Sequence, residues 1–342
     1  MPRHYLLSID GGGVRGIIPA VALAKLESTT GRLARETFSF VGGTSTGAII
    51  AAAIAAGIPA ADILDLYLVR AREVFRRYPW SIPKRVIAGS MYSTRKLHDL
   101  ISSELGSACD WRLNDSPIDL LIMAKRVPDG IPWYFVRDNP YNSGCTGRLG
   151  LADCTVASAA APTYFEPWTI REDSEPSSAC ERVGTLVDGS VGIAGNPVYR
   201  TCVEAFYYTG GTYKPEETTT ISLGTGRFVS EQRASWLGSW LEWMLGELLE
   251  SPGEHQTEIA WRQFPQMVFY RLDVALEEDI ARDDVGSAER LREYGEGLAE
   301  LIDWEAILAG TDTTFRVGHG KPPGPTTRSQ EFQVLPRARR TS

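Results

Sequence analysis

The residue best placed to do chemistry is Ser45, inside Gly43-Thr44-Ser45-Thr46-Gly47. This is the GxSxG arrangement, set directly after the apolar stretch 38–41 and directly before the Ala/Ile-rich stretch 46–56. A serine there sits on a sharp strand-to-helix turn that lifts its hydroxyl above the sheet edge. Gly43 and Gly47 let the strand and helix backbones approach, and the N-terminus of the following helix favours negative charge beside the nucleophile. The chemistry this supports is attack on an acyl carbonyl.

Such an attack needs a home for the oxyanion and a base for the serine proton. The run Asp10-Gly11-Gly12-Gly13-Val14-Arg15-Gly16 follows a second short apolar stretch, 5–9. Gly11, Gly12 and Gly13 expose backbone N–H groups that can hold an oxyanion, one such donor contributing about 2.7–4 kcal/mol in other enzymes. Gly11, Gly13 and Gly16 also fit the GxGxxG dinucleotide fingerprint. That fingerprint requires an acid at the end of the second strand, where this chain has Gly42-Gly43. Dinucleotide binding is therefore set aside, and no organic cofactor or metal is expected. For the base, Asp188 and Gly189 close the apolar stretch 183–187, which puts a carboxylate at a strand end. None of His4, His98, His255 and His319 follows a core strand. A Ser–Asp dyad is the reading that results, with Asp188 as base if burial raises its pKa.

The elements that carry these residues alternate. Strands are expected over 5–9, 38–41, 118–124, 133–136, 183–187 and 219–223, and helices over 17–27, 46–56 and 198–208, with another starting at Pro59. This predicts a three-layer α/β/α fold around a mainly parallel sheet, over residues 1–228. Residues 229–317 read as a mostly helical extension packed on that core, with helices over 230–250 and 286–308 and one strand-like stretch, 267–272. Residues 318–342, Pro/Gly-rich and basic, read as a disordered tail. Trp236, Trp240 and Trp243 share one helical face, either a core-packing stripe or a surface that meets lipid.

Composition narrows the classes. A net charge of −8 over 342 residues argues against a nucleic-acid partner, which requires a basic face. No apolar run is long enough to span a bilayer and no leader sequence is visible, so a cytoplasmic location is expected. Cys109, Cys145, Cys154, Cys180 and Cys202 have no metal-ligand spacing and are expected to be free thiols.

Together, the DGGGVRG run, the GTSTG turn and the Asp188-Gly189 pair resemble, in this order, the patatin-like phospholipase family. The segment 157–165, ASAAAPTYF, is similar to that family's SAAPTYF, as are Asn196-Pro197 and the SLGTG run at 222–226. The resemblance implies Ser45 as nucleophile, Asp188 as base, residues 11–13 as oxyanion donors and Arg15 as a cation near the site or a structural ion pair. It implies a lipid or ester substrate, with transient contact at a membrane surface. Two departures stand out. Ser190 replaces the family's usual Gly or Ala, and the loop from Gly189 to Asn196 differs from the common form. Three alternatives stay open at this point: a Ser–Asp–His triad using His255, acyl transfer to an acceptor other than water, and a non-enzymatic lipid-binding effector.

Overall fold

The computed structural model describes residues 4–75, 90–172, 180–192, 195–228, 240 and 252–318. Its strands are β1 (His4–Ile9), β2 (Phe40–Thr44), β3 (Ser90–Tyr92), β4 (Asp119–Arg126), β5 (Pro132–Val136), β6 (Thr163–Phe165), β7 (Trp168–Thr169), β8 (Thr185–Asp188), β9 (Thr218–Leu223) and β10 (Val268–Leu272). The helices that matter here are α1 (Ile17–Thr30), α2 (Thr46–Ala56), α3 (Ala60–Asp65), α4 (Thr94–Leu105), α5 (Leu151–Ala159), α6 (Val198–Tyr208), α7 (Pro252–Gln263), α8 (Ala288–Leu301) and α9 (Trp304–Ala309).

The central sheet runs β10-β9-β1-β2-β4-β8-β7, with β5 on the far edge of β4. The five strands from β10 to β4 are parallel. Their apolar residues are buried on both faces, as parallel strands require. Leu7, Ile9, Val41 and Ile122 point to the face covered by α1, α2 and α5. Leu6, Phe40, Leu121 and Met123 point to the other, where α6 lies. Val198 and Cys202 of α6 pack with Trp261 of α7 to extend that second layer. The three-layer α/β/α architecture expected from the alternation is the one found.

Three expectations are corrected. The strand-like stretch 267–272 is not an isolated strand in a helical appendage: β10 pairs in parallel with β9 and forms the sheet's edge. Its helix α8 then packs on α1, so closely that a Cβ at Gly295 would lie 2.9 Å from Val21. The chain beyond 228 therefore helps to build the core. Second, the strand that ends at Asp188 is not parallel to the strands that carry the glycine turns: β8 is antiparallel to β4, as is β5, within a sheet that is mainly parallel. Third, the cysteines are not all free. Cys145 and Cys180 form a disulfide with a Cα–Cα distance of 5.5 Å, leaving Cys109, Cys154 and Cys202 as thiols. Thirty-five residues separate the pair, so only the folded loops bring them together.

The tail beyond 318, Trp236 and Trp243 lie outside the described residues. Trp240 is half exposed. No helix among the described residues is long and apolar enough to cross a membrane.

Candidate active site

Ser45 occupies the turn between β2 and α2 with φ 55° and ψ −123°. That is a region non-glycine residues rarely enter, and holding it costs of the order of 1–3 kcal/mol. The surroundings enforce it. A Cβ on Gly43 would collide with the backbone of Gly47, and one on Gly47 with the Ile9 carbonyl of β1. Strand, turn and helix thus interlock through glycine. Ser158 of α5, fully buried, completes the support: its hydroxyl accepts from the Ser45 N–H at 2.9 Å and donates to the Met123 carbonyl of β4 at 2.5 Å.

Asp188 reaches Ser45 by a route different from the one expected. β2 pairs with residues 119–123 of β4, ending at Thr44 opposite Met123. β8 pairs with residues 124–126 of β4 in the opposite sense, ending at Asp188 opposite Ala124. β5 occupies β4's other edge over residues 121–125, so β2 and β8 share one edge and run toward each other. The nucleophile turn and the aspartate meet because the two strands collide head to head. Gly189 permits the approach, since a Cβ there would strike the Met123 carbonyl.

Asp188 is 1% exposed. Burial raises its pKa above the usual 3.8; hydrogen bonding from the Ser45 hydroxyl and Ser190, and then the charge of Arg282, oppose the rise. Its backbone N–H donates to the Ala160 carbonyl at 3.0 Å, and its Oδ1 accepts from the Ser190 N–H at 2.7 Å. The Ser190 hydroxyl lies against Gly11 and completes no well-formed hydrogen bond, so its own pull on the carboxylate is weak.

The glycine turn lies alongside. Of the three N–H groups expected to face an oxyanion, that of Gly11 already donates to the Gly195 carbonyl at 2.9 Å. The N–H groups of Gly12 and Gly13 have no partner among the described residues. Gly13 has φ 59° and its α-carbon abuts the Arg282 backbone, so a side chain is excluded twice over. The SLGTG run braces the turn from behind: Asp10 N–H donates to Leu223 O at 3.0 Å and Thr225 Oγ1 to Gly11 O at 2.8 Å. Beneath it, Arg271 bridges Asp10 at 2.7 Å and Asp273 at 2.9 Å. Burial pushes the Asp10 carboxyl up to about 6 even with Arg271 beside it.

Arg15 does not face the site. It is 3% exposed, and its Nε donates to Ile280 O at 2.8 Å while its guanidinium reaches Asp279 at 3.2 Å. Of its two expected roles, the structural ion pair is the one observed. The cation at the site is Arg282, on the segment that Arg15 anchors. It lines the same cavity as Ser45 and Asp188 and its charge is felt by the carboxylate.

That cavity is narrow, with about 80 Å³ of enclosed space. Ile49 of α2, Leu97 and Ile101 of α4, Val74, Phe75 and Phe165 give it an apolar wall. Residues 66–70 form a widened helical turn, and two of them, Leu66 and Tyr67, line the cavity. No histidine lines it among the described residues. His4 packs edge-on to Tyr213 and His98 stacks on Trp168. His319 lies outside the described residues. No cluster of three or more His, Cys, Asp or Glu able to hold a metal occurs among the described residues.

The chain belongs to the patatin-like phospholipase family, whose model matches residues 7–200. Patatin-like protein 2 of Arabidopsis thaliana is 31% identical over 274 residues, covering 70% of this chain and 65% of that protein. Patatin-17 of Solanum cardiophyllum is 27% identical over 270 residues, covering 70% of this chain and 66% of that protein. A cGAMP-activated phospholipase of Escherichia coli (strain TW11681) is 29% identical over 216 residues, covering 60% and 56%. The chain thus spans 56% to 66% of the length of these three relatives.

Two residues of the site escaped the sequence. Ser158 stood within the segment 157–165 but without a role. Arg282 lies beyond the matched region, in a stretch with no motif, and nothing in its spacing announced it.

Proposed function

We propose that the protein is a serine acyl hydrolase of lipid esters, with Ser45 as nucleophile and Asp188 as base. The observation that carries this is the meeting of the strained Ser45 turn and the buried Asp188 carboxylate at the head of an apolar cavity. The acyl chain lies in the cavity, where each buried methylene contributes about 0.8 kcal/mol. Asp188 takes the proton from Ser45 as Oγ bonds to the carbonyl carbon. The carbonyl electron pair moves to oxygen, held by Gly12 and Gly13 N–H and by the N-terminus of α2. Collapse of this intermediate expels the alcohol, which leaves with the proton from Asp188. Water then repeats the sequence on the acyl-serine, releasing the fatty acid and restoring Ser45.

The lipid is met at a membrane or micelle surface by transient contact. The Cys145–Cys180 bond favours a compartment in which thiols are oxidised over the cytoplasm expected from the sequence.

A fluorophosphonate probe should label the protein at Ser45, and Ser45→Ala should abolish both labelling and hydrolysis of nitrophenyl acyl esters. Asp188→Asn should lower kcat by roughly a thousandfold or more, while His255→Ala leaves it within twofold. A wild-type protein that neither labels nor hydrolyses would sink the reading, and loss of activity in His255→Ala would replace the dyad with a triad.

A further inference from the structure

Among the described residues that line the cavity, Asp188 and Arg282 are the charged ones; the wall is otherwise apolar or neutral. Arg282 stands on a braced stretch of backbone. Its segment, residues 279–283, is fastened from three directions. Arg15 holds the Ile280 carbonyl from below, at 2.8 Å from Nε. The Val14 N–H donates to the Arg282 carbonyl at 2.8 Å, which ties the segment to the glycine turn. On the far side, the buried Tyr92 hydroxyl donates to Asp283 Oδ2 at 2.7 Å, which ties it to β3. The Gly13 α-carbon meets the Arg282 backbone so closely that no side chain fits between them. The Arg282 backbone is thereby held against the glycine turn, on a residue that lines the same cavity as Ser45 and Asp188.

We propose that Arg282 selects the substrate by taking an anionic group that flanks the scissile ester, so that the site favours acyl esters whose alcohol portion carries a negative charge. This rests on the acyl-hydrolase reading. With the acyl chain in the apolar wall and the carbonyl oxygen at Gly12 and Gly13, the alcohol portion is the part of the substrate left to meet the guanidinium. A planar, always-charged fork suits a phosphate or carboxylate there. The preference must come from this local charge, since a net charge of −8 repels anions from the molecule as a whole.

The test compares an acylglycerol phosphate with the monoacylglycerol of the same chain, both in neutral detergent micelles. The wild-type protein should favour the phosphate by about tenfold or more in kcat/KM. Arg282→Ala slows both substrates, because the charge also acts on Asp188, but the ratio between them should fall toward one. Arg282→Lys should restore part of it. Fluorophosphonate labelling of Ser45 in each variant reports that the site is formed. Should the variants fail to fold, inhibition of the wild-type protein decides: a long-chain alkyl phosphate should bind about tenfold tighter than the matching alcohol. A wild-type ratio near one, a ratio unchanged in Arg282→Ala, or equal inhibition by the two amphiphiles overturns the assignment while leaving the acyl-hydrolase reading intact. Hydrolysis of neither ester, with no labelling of Ser45, overturns both.

Discussion

Replacing Ser158 with alanine removes one oxygen atom that touches no substrate, yet it should cripple the protein. The hydroxyl is fully buried and makes two bonds, accepting from the Ser45 N–H and donating to the Met123 carbonyl. The space left by one oxygen is too small and too enclosed to admit a bridging water. Both backbone groups are then buried without partners, at about 1–3 kcal/mol each. We expect a stability loss of about 2–4 kcal/mol, read by urea unfolding. The second effect is local. The strain at Ser45, of the order of 1–3 kcal/mol, is similar in size to the support withdrawn, so the turn should relax in much of the population. That should lower kcat and the rate of fluorophosphonate labelling by about 10- to 100-fold, with KM little changed. Ser158→Thr, which keeps a hydroxyl, should recover part of both. If Ser158→Ala unfolds within 0.5 kcal/mol of the wild type and labels at the wild-type rate, the turn is held by its glycines alone and this account of it is wrong.

Two further outcomes follow from the same structure. Because burial lifts the Asp188 pKa and the base works as a carboxylate, kcat/KM should rise with pH on an acid limb whose midpoint lies above 3.8. The stability consequence has the opposite sense: the protonated form is favoured in the fold, so stability due to this group is fully present below pH 3.8 and is lost as pH rises through the raised pKa. Asp188→Asn should flatten that part of the stability profile in acid-range thermal melts, and an unchanged profile would contradict the burial argument. As for the cysteines, protein kept under oxidising conditions should titrate as three thiols when denatured and five after reduction. Closing a loop of 35 residues predicts about 3–4 kcal/mol of stabilisation from the bond, and five thiols before reduction would show that the pair does not form.

How far the sequence carried the reading depended on whether an interaction was local. The Ser45 turn was legible because its requirements, two flanking glycines between a strand and a helix, fall within five residues. The sheet's parallel strands were legible because continuous apolar runs leave them no other place to go. β8 was not, since a four-residue strand carries no mark of its direction and only pairing with β4 fixes it. β10 was recognised as a strand but not as the sheet's edge. Its neighbour, β9, lies more than forty residues earlier in the chain, and no pattern within 267–272 names a partner. Gly11 was taken as a donor because nothing in a glycine run shows which N–H another carbonyl has claimed. Arg15 and Arg282 show the same limit from two sides. The arginine in the motif turned out to be an anchor, and the arginine outside every motif took the position beside the base.

The head-to-head arrangement of β2 and β8 makes β4 a ruler for the reaction. Ser45 follows Thr44, which registers on Met123, and Asp188 itself registers on Ala124, the adjacent mark on that ruler. The backbone spacing of the proposed nucleophile and base is therefore set in steps of one residue, about 3.4 Å. A register slip of either strand by one residue would separate the pair by a full step and turn the slipped strand's side chains to the opposite face. Substitutions that shift the register of either strand should therefore act on this pair in whole-residue steps.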